Sequence, residues 1–339
     1  MTAVTAPVTA PVAADPVAIK RLGNAFCAAK LLLTATELGL FSALDAGPAT
    51  AGDVCAALEL NPRGVGDFLN ALVALGLLER ENGRYRNGPA AAQFLVRGKP
   101  GYSGGFLERA NRMLYPAWGK LTEALRTGAP QAPANFSQVA ANPAVLNAFL
   151  AMMDSVNSLL VPDIDARFAW DSVGRVADIG GARGNLLGRL AQAHPNLRGT
   201  VFDLPTVAEP AAEHLASLGV ADRVVFRPGD FFTDDLPAAD VMIMGHVLHD
   251  WSPQERRRLV AKCYAALPPG GALLVYDAML DEEPADLSKL LVSINMLLVT
   301  EGGSEYPVSE CVSYLTDAGF TGITCHPLGA DNTLAIGYK

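Results

Sequence analysis

From Arg175 onward the chain alternates short apolar runs with helical stretches, and this rhythm constrains the fold more than any other feature. RVADIG precedes NLLGRLAQAHP, and RGTVFDLP precedes TVAEPAAEHLASLG. RVVFRPGDFF and DVMIMGHVLHD lead to PQERRRLVAKCYAAL and then GALLVYDAML. Short apolar runs bounded by turn residues suit strands buried on both faces, and the segments between them carry apolar residues at helical spacing. The pattern predicts an α/β fold, a parallel sheet covered by helices. Ligands bind such sheets beyond the carboxyl ends of the strands.

A chain of 339 residues exceeds one ordinary core, so two domains are expected, and half of the residues are apolar. The apolar runs VMIM at 241–244 and ALLVY at 272–276 are too short to cross a bilayer. The opening MTAVTAPVTAPVAAD has no basic start and no apolar stretch of a secretory signal, and reads as a disordered leader over residues 1–15. The formal charge of −9 argues against nucleic-acid binding. Cys27, Cys55, Cys263, Cys311 and Cys325 form no C-x-x-C and no zinc spacing with histidine. Reduced thiols in a cytoplasmic setting and no metal are the expectation.

Residues 16–100 read as helices ending in a turn-rich piece. Thr50 is a plausible N-cap, Asn61-Pro62 a second helix start, and Asn82-Gly83 a hairpin turn. Three helices and a hairpin make a winged-helix pattern. A DNA reader needs several basic residues on its recognition helix. The candidate, Arg63 to Gly76, has one basic and one acidic residue and is otherwise largely apolar, which favours packing against a partner subunit. Residues 101–165 read as further helices, broken at 128–133, that link to the α/β stretch of residues 166–339. Tyr115, Phe149 and Met153 in the linker are candidates for lining a ligand cavity.

The turn Asp178-Ile179-Gly180-Gly181-Ala182-Arg183-Gly184 follows the first strand and precedes the first helix, as a nucleotide-type site requires. About twenty residues on, the next strand ends at Asp203-Leu204, where an acid can take both ribose hydroxyls. Gly229-Asp230-Phe231 closes the third strand and suits an adenine. A dinucleotide wants G-x-G-x-x-G, with helix-terminal amides meeting a pyrophosphate. The acid ahead of these glycines would repel a pyrophosphate and suits S-adenosylmethionine.

DIGGARG, VFDLP, GDFF, HVLHDWS, CYAALPPGG and TEGGSE together resemble the class I S-adenosylmethionine-dependent small-molecule O-methyltransferases of the caffeate, acetylserotonin and bacterial polyketide-tailoring kind. The resemblance covers nearly the whole chain. It implies a Rossmann-like methyltransferase sheet, an N-terminal all-helical winged-helix dimerisation domain, a homodimer, and no membrane or nucleic-acid partner. Two positions depart from the family. Its third adjacent glycine is Ala182, and a lysine near the adenine end falls at Gly245. The implied cofactor-binding residues are Asp178, Gly180, Gly181, Gly184, Asp203, Leu204, Asp230, Phe231 and Gly245.

In the family a histidine at the place of His249 deprotonates the acceptor hydroxyl, and acids at Asp277 and Glu305 orient it. A phenol has a pKa of about 10 and an imidazole about 6.5, so full proton transfer before attack is uphill by roughly 5 kcal/mol. The proton should move as the methyl is transferred, with nearby anions balancing the imidazolium. Asp277 is shorter than the glutamate of plant relatives, which predicts a looser contact. His246, Trp251, Met296 and Thr300 join Tyr115, Phe149 and Met153 as acceptor candidates. Arg256-Arg257-Arg258 reads as a solvated helix face. The rival readings are a cofactor-binding relative doing N- or C-methylation, hydroxylation, decarboxylation or pericyclic chemistry, and a DNA-binding regulator.

Overall fold

The computed structural model describes residues 14–99, 101–132, 139, 141–283 and 285–339, so the expected leader lies almost wholly outside the described residues. The chain divides into two compact units, Met1–Tyr115 and Pro116–Lys339.

The first unit starts with helix α1 (Pro16–Gly23), capped by Asp15, and α2 (Ala25–Glu37). A short helix, α3 (Leu40–Ala43), follows, then α4 (Ala51–Ala57), whose start is a capping box between Thr50 and Asp53. Helix α5 (Val65–Ala74) begins three residues later than Pro62 predicts, because Gly64 at φ +86° breaks the turn ahead of it. Strands β1 (Leu78–Glu81) and β2 (Arg84–Asn87) pair antiparallel around Asn82 and Gly83, both at positive φ. This hairpin means the unit is not all-helical. Leu40, Phe41, Leu69, Leu72 and Tyr85 form its core.

The expected boundary at residue 100 moves to 115. Arg97 pairs with Glu108, and the buried amide of Asn111 donates to Glu37 at 2.6 Å while accepting from Lys30. These contacts fasten residues 104–115 to α2, and the rest of the expected linker belongs to the second unit.

The second unit is built on seven strands in the order β5-β4-β3-β6-β7-β9-β8. Strands β3 (Arg175–Ile179), β4 (Arg198–Asp203), β5 (Val224–Pro228), β6 (Val241–Gly245) and β7 (Ala272–Asp277) are parallel. They are the five apolar runs of the sequence. Val241 and Ile243 enter the core on one face, Met242 and Met244 the core on the other, so a continuous apolar run is what the geometry demands. The antiparallel pair β8 (Thr321–Leu328) and β9 (Asn332–Tyr338) completes the sheet.

Helix Pro143–Arg167 is, by length and composition, apolar enough to cross a bilayer, which inspection of short runs missed. Three of its polar residues nevertheless bond within this unit. Asp154 meets Arg183, Asn157 meets Tyr276, and Ser158 meets Asn185. This is the behaviour of a packed helix of the unit.

Candidate functional site

The glycine turn is shaped first by the chain's own packing. Gly180 has φ +74°, and a Cβ there would lie 2.7 Å from the Val247 side chain. Gly181 would press on Asp178, and Gly184, at φ +81°, on Val201. A left-handed turn squeezed by neighbouring side chains requires glycine before any ligand is considered. Ala182 adopts φ +50° in the same turn. Its backbone N–H donates to Asp203 Oδ2 at 2.8 Å, and Leu204 N–H donates to Oδ1 at 2.7 Å. Asp203 therefore braces the turn and keeps further lone pairs for a ligand.

Asp178 is buried and Asp203 half-buried, and the charge of Asp203 is felt at Asp178. Burial raises Asp178 to about 7, and the charge of Asp203 adds to this. Burial raises Asp203 to about 6, against the pull of its two amide hydrogen bonds. Two acids desolvated together favour a positively charged ligand. S-adenosylmethionine, with its sulfonium and amino groups, fits that demand.

Asp230 Oδ1 accepts from Phe232 N–H at 2.8 Å and so shapes its own turn. Phe231 lies beside Gly180 and meets Trp251 edge-on at a centroid distance of 5.8 Å. Phe232 meets Trp251 at 4.6 Å. Trp251, expected among the acceptor residues, packs against both of these rings.

His249, Asp277 and Glu305 converge, all buried. His249 stands on a short turn, Leu248–Asp250, after β6, and Asp277 ends the adjacent strand β7. His249 Nδ1 lies 2.6 Å from Glu305 Oε1 and 3.6 Å from Asp277 Oδ1. Glu305 Oε2 accepts from Met279 N–H at 3.2 Å. Asp277 Oδ2 accepts from the Tyr306 hydroxyl at 2.6 Å, while Oδ1 is buried with no hydrogen-bond partner among the described residues. Burial alone would lower the His249 pKa, but Asp277 and Glu305 outweigh it and lift the ring to about 10. The gap to a phenol assumed for an ordinary imidazole thus largely closes. Asp277 itself is raised to about 7, by burial first.

His246 adopts φ +53°, unusual for a non-glycine residue, and its Nε2 is buried with no hydrogen-bond partner among the described residues. Its ring centroid is 5.6 Å from that of His249. Burial and the neighbouring His249 push its pKa down to about 3, so it is a neutral imidazole. The sequence predicts no metal site, yet donor atoms of His246, His249 and Asp277 lie within 4.8 Å of one another.

Gly245 is demanded by Tyr276, its partner across β6 and β7, since a Cβ would lie 1.9 Å from the tyrosine ring. The Tyr276 hydroxyl reaches Asn157 Oδ1 at 3.1 Å. Phe149, Met153 and Asn157 fall at four-residue spacing along helix Pro143–Arg167. Phe149 packs in a cluster that includes Ala182 of the glycine turn.

Thr300, expected on the acceptor side, donates its hydroxyl to Met296 O at 2.7 Å and accepts from Gly303 N–H at 2.9 Å. It holds the Gly302-Gly303 turn. Met296 is half-buried on helix Leu287–Val299. Tyr115 ends the first unit, where Lys30 Nζ lies 5.2 Å from its ring centroid.

Sequence reasoning missed Tyr276, Asn157, Tyr306 and Arg256. The last is the clearest correction, because Arg257 and Arg258 are exposed while Arg256 is 1% exposed. The signal was available. Arg256, Leu259, Val260 and Cys263 share one helical stripe.

Two family models match the chain, an O-methyltransferase dimerisation domain over residues 21–97 and an O-methyltransferase domain over residues 118–321. The tetracenomycin polyketide synthesis 8-O-methyl transferase TcmO of Streptomyces glaucescens is 46% identical over 95% of this chain and 96% of its own. The N,N-dimethyltransferase OxyT of Streptomyces rimosus is 42% identical over 88% of this chain and 89% of its own. The crystal structure of human N-acetylserotonin methyltransferase in complex with S-adenosylmethionine superposes with a TM-score of 0.89 at 29% identity, covering 97% and 99% of the two chains. Sheet order, strand-end residues and full-length similarity agree, and the chain belongs to the S-adenosylmethionine-dependent O-methyltransferase family.

Proposed function

We propose that this enzyme methylates a phenolic hydroxyl of an aromatic polyketide-like molecule, with His249 as general base. The observation that carries the reading is the 2.6 Å contact of His249 Nδ1 with Glu305. In its neutral form, a ring whose Nδ1–H donates to a carboxylate presents Nε2 as its proton acceptor. S-adenosylmethionine supplies, when bound, a methyl group already activated by its sulfonium. Asp178 and Asp203 would hold the cofactor's positive and ribose portions, with Gly180, Gly181, Gly184 and Leu204 shaping the turn, and Asp230 and Phe231 would serve the adenine. His249 takes the hydroxyl proton, Glu305 fixes the ring, and Asp277 adds negative charge as the imidazolium forms. Phe149, Met153 and Met296 line the acceptor side. The buried His246 Nε2 and Asp277 Oδ1, with no hydrogen-bond partner among the described residues, suit an acceptor carrying a second oxygen beside the methylated one.

The polyketide class rests on the 46% identity to TcmO. N-methylation is the second reading, favoured by the 42% identity to OxyT. A panel of polycyclic phenols and arylamines, incubated with labelled S-adenosylmethionine and read by mass spectrometry, separates the two. Methyl gain confined to amines would overturn the oxygen reading.

We also propose a homodimer formed through the first unit. Val17, Ile19, Leu22 and Phe26 are large apolar residues exposed on α1 and α2, within or beside the matched dimerisation domain.

A further inference from the structure

We propose that Arg256 is a positioning residue that sets the separation of His249 and Glu305; the inference rests on the base reading above. Arg256 lies on helix Pro253–Ala266 and is 1% exposed. Its Nε donates to Leu248 O at 3.0 Å, and one terminal nitrogen donates to Ser304 O at 2.6 Å and Ser304 Oγ at 2.9 Å. Leu248 immediately precedes His249, and Ser304 immediately precedes Glu305. One rigid, planar group therefore ties together the two backbone segments that carry the base and its acid.

The guanidinium also lies over the Tyr306 ring, 4.4 Å from its centroid, and the Tyr306 hydroxyl donates to Asp277 at 2.6 Å. Arg256 thus reaches the third member of the cluster through a single side chain. Its hydrogen bonds go to neutral oxygens. Burying a cation on neutral partners is costly, and a fold that needed only packing here would use an apolar residue. An arginine reaches both carbonyls at once with fixed donor geometry, which lysine cannot do. Ser304 N–H donates back to His249 O at 2.9 Å, and a Cβ on Gly303 would sit 2.4 Å from that same oxygen. The loop and the turn are therefore pressed together, and Arg256 fixes their register.

The test uses Arg256→Lys in the full-length enzyme. Turnover number should fall on the order of 10- to 100-fold, while affinity for S-adenosylmethionine by calorimetry stays within about twofold. The His249 Nδ1–H proton resonance, shifted downfield by the short bond to Glu305, should weaken or move upfield. A purely structural role would lower the melting temperature and leave the resonance and turnover of the folded enzyme unchanged, and that result would overturn the proposal. If Arg256→Lys does not fold, Arg256→Gln takes its place, since it reaches one carbonyl only. If the resonance is lost in these variants while His249→Ala keeps its turnover, the base reading fails and the positioning of the ring by Arg256 stands.

Discussion

Glu305, rather than Asp277, holds the ring of His249: Oε1 of the glutamate lies 2.6 Å from Nδ1, and Oδ1 of the aspartate lies 3.6 Å away. The looser aspartate contact agrees with its shorter side chain. Glu305→Gln keeps the shape but removes the charge, and turnover should fall roughly 100-fold or more. Asp277→Asn should lose less. The two losses should not add, because both act through one imidazole. Turnover numbers for the two single variants and the double variant close this cycle.

Turnover should rise with pH from neutrality upward. The acids lift His249 to about 10, so the resting ring is largely imidazolium and only its neutral form accepts a proton. Removing one negative charge lowers that pKa, so the rising limb in Glu305→Gln should move to lower pH while its plateau falls. The dependence of kcat/KM on pH measures both effects.

The cofactor side carries a pH dependence of its own, in stability. Asp178 and Asp203 are raised to about 7 and about 6, above their unfolded value near 3.8. The folded state then binds more protons than the unfolded state between pH 4 and 7, so these groups cost stability progressively as pH rises through that window. The melting temperature gain from S-adenosylmethionine should be larger at pH 8 than at pH 5.5. A gain independent of pH would contradict the pairing of these acids with the cofactor's positive charge.

The parallel part of the sheet was legible because its central strands, buried on both faces, leave continuous apolar runs. Each strand-end residue followed from that placement. Roles depending on which atom a side chain spends were not legible. The hydroxyl of Thr300 is consumed by its own turn, and Trp251 is drawn to Phe231 and Phe232. Tyr276 was hidden because its partner across the sheet, Gly245, appears in the sequence only as a missing side chain. Arg256 was legible in principle from its helical stripe, but its two charged neighbours disguised it.

Gly245→Ala should destabilise the enzyme by about 1–3 kcal/mol, since its Cβ would strike the Tyr276 ring. The hydrogen bond from Tyr276 to Asn157 should break with it. Chemical denaturation compares it with the parent, and Gly245→Ala should cost less in a Tyr276→Ala background than in the parent.

Light scattering of the full chain should give the mass of two chains. Phe26→Asp, on the exposed apolar surface of α2, should shift that mass toward one chain, whereas a monomeric parent would defeat the dimer proposal.

The central claim is that His249 removes the acceptor's proton. In His249→Ala, affinity for S-adenosylmethionine should stay nearly intact while turnover of a phenolic acceptor falls by roughly 10²–10⁴. The residual rate should rise with pH as the phenol ionises on its own. Near-normal turnover in this variant, at neutral pH and with the same acceptor, would contradict the account.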